Sequence, residues 1–304
     1  IVKRTKNILE DLINTKSYDH LDTLKYLDNK RRFFEKSNEK KYLINHYEKA
    51  IAQVDFTKND KKKYFSDFYF DLATLYNHSN RNADAIKLLD KGKQIAFNNY
   101  QDLTFMNAYG KLLSTEYTMS LLYDFTNKNQ KKKDKEYSKA AKTHLANLDK
   151  LSNKQKYQII KMDKDYYISL LQSLHVSESL SPSKKSSQPS SYWALKAFNY
   201  IKNNPDINLN YNYMGVLDQL LQSSIIDDDE KIFNLAQNEF KIFLSNSVNN
   251  KQKIYSIFSY AGSRLSLYDL NNLYRDSDEL IEFIDNTFDL KDRDTGVTGD
   301  IITQ

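Results

Sequence analysis

The chain has 304 residues, a formal net charge of +5 and 40% hydrophobic residues, which is typical of a folded, soluble protein rather than a disordered one. Its 6 glycines and 3 prolines are too few for the many turns of a strand-rich or doubly wound fold, so the composition favours an all-α chain. The absence of cysteine excludes disulfides, thiolate metal sites and a cysteine nucleophile.

The start of the chain carries no recognisable targeting segment. It begins Ile1-Val2-Lys3-Arg4, without Met and without an apolar signal core, so we expect a fragment or a processed form with sequence missing upstream. No stretch approaches the ~18–20 apolar residues of a membrane-spanning helix. We expect a cytoplasmic protein, the alternative being an exported or cell-surface protein whose signal peptide was removed.

Apolar residues recur at helical spacing along the whole chain and predict helices that pair into hairpins. A first helix is predicted over residues 1–15, and residues 154–175 are predicted to form a single long helix. The predicted hairpins, in chain order, cover residues 17–55, 64–99, 102–151, 154–203, 206–246 and 251–288, and an irregular tail follows at 291–304.

Three polar segments interrupt this pattern. Residues 178–190 are rich in Ser, Pro and Lys and predict a surface loop, with a modification or docking segment as the alternative. The acidic run 227–230 suits the N-terminus of a helix, where negative charge meets the helix dipole. The lysine run at 131–133 is interpreted as a solvated charge run rather than as a nucleic-acid footprint.

Residues 66–99 carry the most informative spacing. Large side chains alternate with small ones as two closely packed antiparallel helices require, at Tyr69, Leu72, Ala73, Tyr76, Ala85, Leu89 and Gly92. This segment resembles a tetratricopeptide (TPR) unit, whose expected period is ~34 residues. The resemblance implies an all-α fold over residues 1–290, built as a right-handed superhelical stack of about five or six TPR-like hairpins.

Solenoids of this kind mostly bind peptides or proteins, and in TPR units the first helix of each hairpin lines the concave face. Asn side chains can bond both groups of a peptide backbone, and Tyr adds apolar area with a polar tip. The resemblance therefore points to a peptide-binding set on the first helices, with ordinary surface polarity as the alternative for each residue. The set is Phe70, Thr74, Asn77, Asn107, Lys111, Asn212, Tyr213 and Tyr255.

The chain lacks the sequence signatures of common catalytic sites. Its five histidines are separated by at least 26 positions, so no pair on one helix can hold a metal ion. No phosphate-binding loop and no nucleophile elbow of the G-x-S-x-G type occurs. We therefore expect a non-enzymatic protein without catalytic residues, metal or cofactor.

Degenerate repeats, long helices and a composition rich in Lys, Asn and Tyr resemble the C-terminal sensor domains of Gram-positive peptide-pheromone receptors of the Rgg/PlcR class. The resemblance implies a peptide ligand, a homodimer as one option, and nucleic-acid binding only through a helix-turn-helix domain upstream of residue 1. Residues 1–60 lack the compact turn of such a domain. The alternatives are a structural or cell-surface scaffold and, from a third class, a nucleic-acid-binding repeat protein.

Overall fold

The computed structural model describes residues 40–58, 61–124, 130–163, 165–179, 188–204 and 210–246. The predicted helix at 1–15, the first half of the hairpin at 17–55, the hairpin at 251–288 and the tail at 291–304 lie outside the described residues. The chain divides into two compact units, Ile1–Ser173 and Leu174–Gln304.

The described residues form ten α-helices and one short 3₁₀ turn and contain no strand, which confirms the all-α prediction for this part of the chain. In chain order they are α1 (Lys40–Gln53), the 3₁₀ turn (Lys62–Tyr64), α2 (Phe65–Asn77), α3 (Asn82–Asn98), α4 (Leu103–Asp124), α5 (Gln130–Asp149), α6 (Asn153–Met162), α7 (Tyr166–Ser179), α8 (Tyr192–Lys202), α9 (Asn210–Ile226) and α10 (Glu230–Asn246). None of these helices is long and apolar enough to cross a membrane.

The prediction of one helix over 154–175 is wrong, because the chain breaks between α6 and α7. Asp163 has extended backbone angles, with φ of −151° and ψ of 107°. Its Oδ1 accepts hydrogen bonds from the backbone N–H groups of Asp165 (3.1 Å) and Tyr166 (3.2 Å). A short carboxylate side chain that binds nearby amides competes with the helical hydrogen bonds, and here it starts a new helix.

Helices α2 and α3 form the hairpin predicted at 64–99. Asn80 takes a left-handed conformation (φ 58°) in the turn between them, and the N–H of Arg81 donates to the carbonyl oxygen of Tyr76 at 2.8 Å. The N–H of Ser79 donates to the same oxygen at 3.0 Å, so the turn supplies two hydrogen bonds to one carbonyl group at the end of α2. Asn tolerates the left-handed region better than most residues, so the sequence permits a tight turn without glycine.

The core of the first unit is aromatic and is built around α2. This helix packs against α1, α3 and α4, and α4 in turn packs against α3, α5 and α6. The ring centre of the fully buried Phe68 lies 5.1 Å from that of Tyr47 and 5.4 Å from that of Phe56. Phe65 and Phe105 join α2 to α4 at 5.1 Å between ring centres.

The small residues of the TPR-like pattern lie at close contacts between helices. Ala73 and Ala85 are fully buried in the same core. A Cβ atom added to Gly92 would lie 2.5 Å from Cδ1 of Tyr69 on α2 and 3.0 Å from Cδ1 of Leu112 on α4. Helix α3 therefore approaches both α2 and α4 closely at Gly92, and the absence of a side chain at this position permits the approach.

In the second unit, α9 packs against α8 and α10. The acidic turn before α10 serves two helix starts. The Asp227 carboxylate accepts from the N–H groups of Ser190 (3.0 Å) and Ser191 (2.9 Å) at the start of α8. Asp229 Oδ1 accepts from Lys231 and Ile232 in the first turn of α10, both at 3.1 Å. Both carboxylates satisfy amide groups that would otherwise lack a partner.

Replacing Leu89 with alanine tests the packing of the predicted hairpin. Leu89 has no exposed surface, so Leu89→Ala should lower the free energy of unfolding by ~2–5 kcal/mol through lost burial and a residual cavity. Leu122→Ala is the matched control, because this side chain is 69% exposed and should change stability by less than ~0.5 kcal/mol. Denaturant titrations followed by circular dichroism measure both, and equal effects would contradict the described packing.

Three histidines are buried without charge. Burial lowers the pKa of His46, His144 and His175 to about 4 in each case, with nearby Lys49 adding to the effect at His46. At His175 the carbonyl of Ser190 and the charge of Asp227 oppose burial without overcoming it. An unfolded histidine binds its proton near pH 6.5, so the unfolded state holds more protons between pH 6.5 and 4.

Acidification should therefore destabilise the fold before most carboxylates titrate. Between pH 7 and pH 5, each buried histidine should remove on the order of 2 kcal/mol from the free energy of unfolding. His144→Gln should make the slope of stability against pH shallower by about one proton, whatever its effect at pH 7. The exposed His78 offers the control variant His78→Gln, and identical slopes for wild type and His144→Gln would contradict the assignment.

Candidate functional site

The sequence-predicted binding residues fall on three of the described helices. Phe70, Thr74 and Asn77 lie on α2, Asn107 and Lys111 on α4, and Asn212 and Tyr213 on α9. Tyr255 lies outside the described residues. The packing of α2 against α4 brings members of the first two groups together, whereas those on α9 belong to the second unit.

Lys111 is the centre of the arrangement on the first helices. Its Nζ lies 3.2 Å from Oδ1 of Asp67 on α2 and 3.0 Å from Oδ2 of Asp163, which follows α6. The same ammonium group lies 5.2 Å from the ring centre of Phe70. We call Asp67, Phe70, Lys111 and Asp163 the first-helix surface.

Neighbouring carboxylates stabilise the positive charge of Lys111. Burial alone would lower its pKa, but the carboxylates of Asp163 and Asp67 outweigh that effect and raise the pKa above its ordinary value. The Lys111 side chain is 20% exposed, so the group is partly shielded from solvent yet reachable from outside. One cation between two carboxylates leaves the first-helix surface with a local excess of negative charge.

Thr74 and Asn77 lie further along α2, both partly exposed. The hydroxyl of Thr74 donates to the carbonyl oxygen of Phe70 at 2.9 Å, so its proton is used within the helix. Asn77 is the last residue of α2, and its carbonyl oxygen accepts from the N–H of Asn80 at 2.9 Å. Their role in binding stays a prediction.

Asn107 lies in the interior rather than at the surface. Its side chain is buried, with 4% exposure, and its Nδ2 lies 3.5 Å from the carbonyl oxygen of Ile159 on α6. In this arrangement the amide group contributes to the packing of α4 against α6. The helical spacing of the sequence placed Asn107 on the α4 face toward a ligand, but a third helix covers that position.

Beside the first-helix surface lies a cavity of about 510 Å³, lined by Lys62, Asp102, Thr104, Gln158, Lys161 and Met162, among others. Lys62 Nζ and Asp102 Oδ2 form an ion pair at 2.6 Å across its edge. Met162 is 49% exposed and directly precedes Asp163 in the chain, so the cavity and the first-helix surface adjoin. Lys161 forms no ion pair with any described residue.

In the second unit, the structure describes side-chain contacts for one residue of the predicted peptide-binding set, Tyr213. Its hydroxyl donates to Oε2 of Glu239 at 2.6 Å, and Lys202 binds the same oxygen at 2.6 Å. Burial and the Glu239 carboxylate raise the pKa of Tyr213. Its polar tip is thus held within the unit, and Phe198 lies beside its ring at 6.3 Å between centres.

Sequence reasoning missed Asp67, Asp163 and Met162. Asp67 precedes Phe70 by three positions, so helical spacing alone could have placed it on the same face. Asp163 and Met162 had no such signal, because the break between α6 and α7 was predicted as continuous helix. Among the described residues, no group of three or more His, Asp or Glu side chains is arranged to hold a metal ion.

No protein-family model, curated protein or solved structure matches this chain. The resemblance to TPR hairpins and to pheromone receptors therefore stays a prediction drawn from the residue pattern.

Proposed function

We propose that the chain is a non-enzymatic helical-repeat module that binds a peptide or protein segment on its first-helix surface. The observation that carries the proposal is the combination at α2, α4 and α6 of a partly exposed aromatic ring, a shielded ion-pair network and an adjoining cavity. Phe70 supplies apolar area, Lys111 and its two carboxylates supply polar groups, and the cavity has room for side chains.

The contacts between helices support a stack of TPR-like hairpins. Helix α2 packs against both its partner α3 and the next first helix α4, and α4 packs against α5 and α6. Contacts between each helix and its near neighbours in sequence are typical of solenoids. We extend this arrangement to the right-handed superhelix of about five or six hairpins that the sequence resemblance implies.

The chemistry of the surface suggests how a peptide would bind. Phe70 and Met162 are partly exposed apolar anchors, and Lys62 and Lys161 are among the residues that line the cavity. A short peptide could place an apolar side chain between the two anchors and a carboxylate near Lys161. Peptides are the ligands of the pheromone-receptor class that the sequence resembles, so we propose a ligand-sensing role in a bacterial regulator.

Selection from a library of random eight-residue peptides tests this proposal. Phe70→Ala and Met162→Ala should each weaken binding of the selected peptides by about fivefold or more, because each removes exposed apolar contact area. Both side chains are partly exposed, so the circular dichroism spectrum should not change. Fluorescence anisotropy with a labelled selected peptide measures the affinity.

Phe97→Ala is the matched control, because it also removes an exposed phenylalanine ring but lies on α3, away from the first-helix surface. It should leave the affinity of peptides selected for this site unchanged. The proposal fails if the library yields no binder, or if every binder tolerates both Phe70→Ala and Met162→Ala.

A further inference from the structure

A second concave surface lies between α3 and α5, and α4 forms its floor. Two cavities of about 340 and 300 Å³ adjoin there and share Tyr109, Glu136 and Ala140. Lys93 and Phe97 on α3 form one wall, and α5 forms the other. We call this surface the α3–α5 groove; all of its residues belong to the first unit, and none belongs to the first-helix surface.

One side of the groove presents a cluster of aromatic rings. Phe97 is 61% exposed, which is unusual for a large apolar side chain. Its ring centre lies 5.6 Å from that of Tyr109, which in turn lies 5.4 Å from that of Tyr100. Because the rings support one another, they offer a preformed apolar contact that costs little conformational entropy on binding.

Beneath the rings, buried polar contacts hold the groove in shape. The hydroxyl of Tyr100 is hydrogen-bonded to Nδ1 of the buried His144 at 2.5 Å. The edge of that imidazole fits against Gly110, where an added Cβ would lie 2.5 Å from Nε2. The hydroxyl of Tyr109 forms no hydrogen bond with any described residue, which leaves a donor at the floor of the groove.

The charged residues that line the groove carry a small excess of positive charge. Lys93, Lys133 and Lys139 line it against Glu116 and Glu136. Lys93 is paired with Glu116, so the wall formed by α5 contributes two lysines and one glutamate. Lys139 lines the groove and forms no ion pair with any described residue. An approaching carboxylate would therefore meet a cation that has no acidic partner in the described part of the chain.

From these contacts we infer that the α3–α5 groove binds an acidic amphipathic peptide segment of a partner protein. An aromatic or aliphatic anchor of the segment lies against Phe97 and Tyr109, and flanking carboxylates face Lys139 and the Tyr109 hydroxyl. A single-stranded nucleic acid fits less well. It needs free ring faces for stacking, whereas these rings pack against one another.

A library of random twelve-residue peptides tests the inference. Peptides are selected on the wild-type chain and counter-selected against the double variant Phe97→Ala/Lys139→Glu. The surviving peptides should be acidic and carry at least one aromatic or large aliphatic residue. Each single variant should weaken a labelled survivor by about tenfold, the effect expected of a central anchor or a charge reversal. Binding should strengthen when salt is lowered from about 150 mM to about 50 mM.

Two control variants separate the groove from general surface effects. Tyr157→Ala removes a 66% exposed ring on α6, and Lys87→Glu reverses an exposed charge on α3; neither residue lines the groove. Both should leave the affinity unchanged. Phe70→Ala should also have no effect, which distinguishes this site from the first-helix surface.

Three results would overturn the inference. The first is the loss of all wild-type binders during counter-selection, because the double variant then binds them as well as the wild type does. The second is binding of a labelled oligouridine that Phe97→Ala abolishes, because the occupant would then be a nucleic acid. The third is a homodimer in sedimentation velocity that Phe97→Ala dissociates, because the groove would then be covered by a second copy of the chain.

Discussion

The close approach of three helices at Gly92 is the constraint on which the described first unit depends. Tyr69 of α2 and Leu112 of α4 both occupy the space that a side chain at this position would need. Tyr69 cannot turn away, because it is 2% exposed and its ring centre lies 4.8 Å from that of Phe65. Helix α3 thus fixes where α2 and α4 lie relative to each other.

Both proposed binding surfaces follow from this arrangement. On one side of α4, its packing against α2 and α6 brings Lys111 to Asp67 and Asp163 and places Phe70 beside them. On another side of α4, this helix contacts both α3 and α5 and forms the floor of the α3–α5 groove. Gly110 on α4 permits a similar close approach, because without a side chain at this position the imidazole of His144 on α5 can pack against the helix. The two surfaces share no residue, so a substitution in one should leave binding at the other unchanged.

Helical spacing predicted the fold well where local contacts decide it. The hairpin at 64–99, with Ala73, Ala85 and Gly92 at its close contacts, could be derived from residue size alone. The break at Asp163 could not, because the choice between helix and cap depends on a side-chain hydrogen bond that spacing does not encode. Of the predicted site residues, Phe70 and Lys111 do lie in contact. Asn107 is buried by α6, and the spacing of residues along α4 alone carries no information about a third helix that covers it.

The free energy of unfolding of Gly92→Ala tests most directly whether α2, α3 and α4 meet as described. Helix propensity alone would make this variant more stable by about 1 kcal/mol, because glycine is unfavourable inside a helix. The close approach predicts the opposite sign, a net loss of about 1–3 kcal/mol from overpacking against Tyr69 and Leu112. Lys91→Ala, an exposed change on the same helix, should have almost no effect. A Gly92→Ala variant as stable as the wild type, or more stable, would contradict the arrangement from which both surfaces are derived.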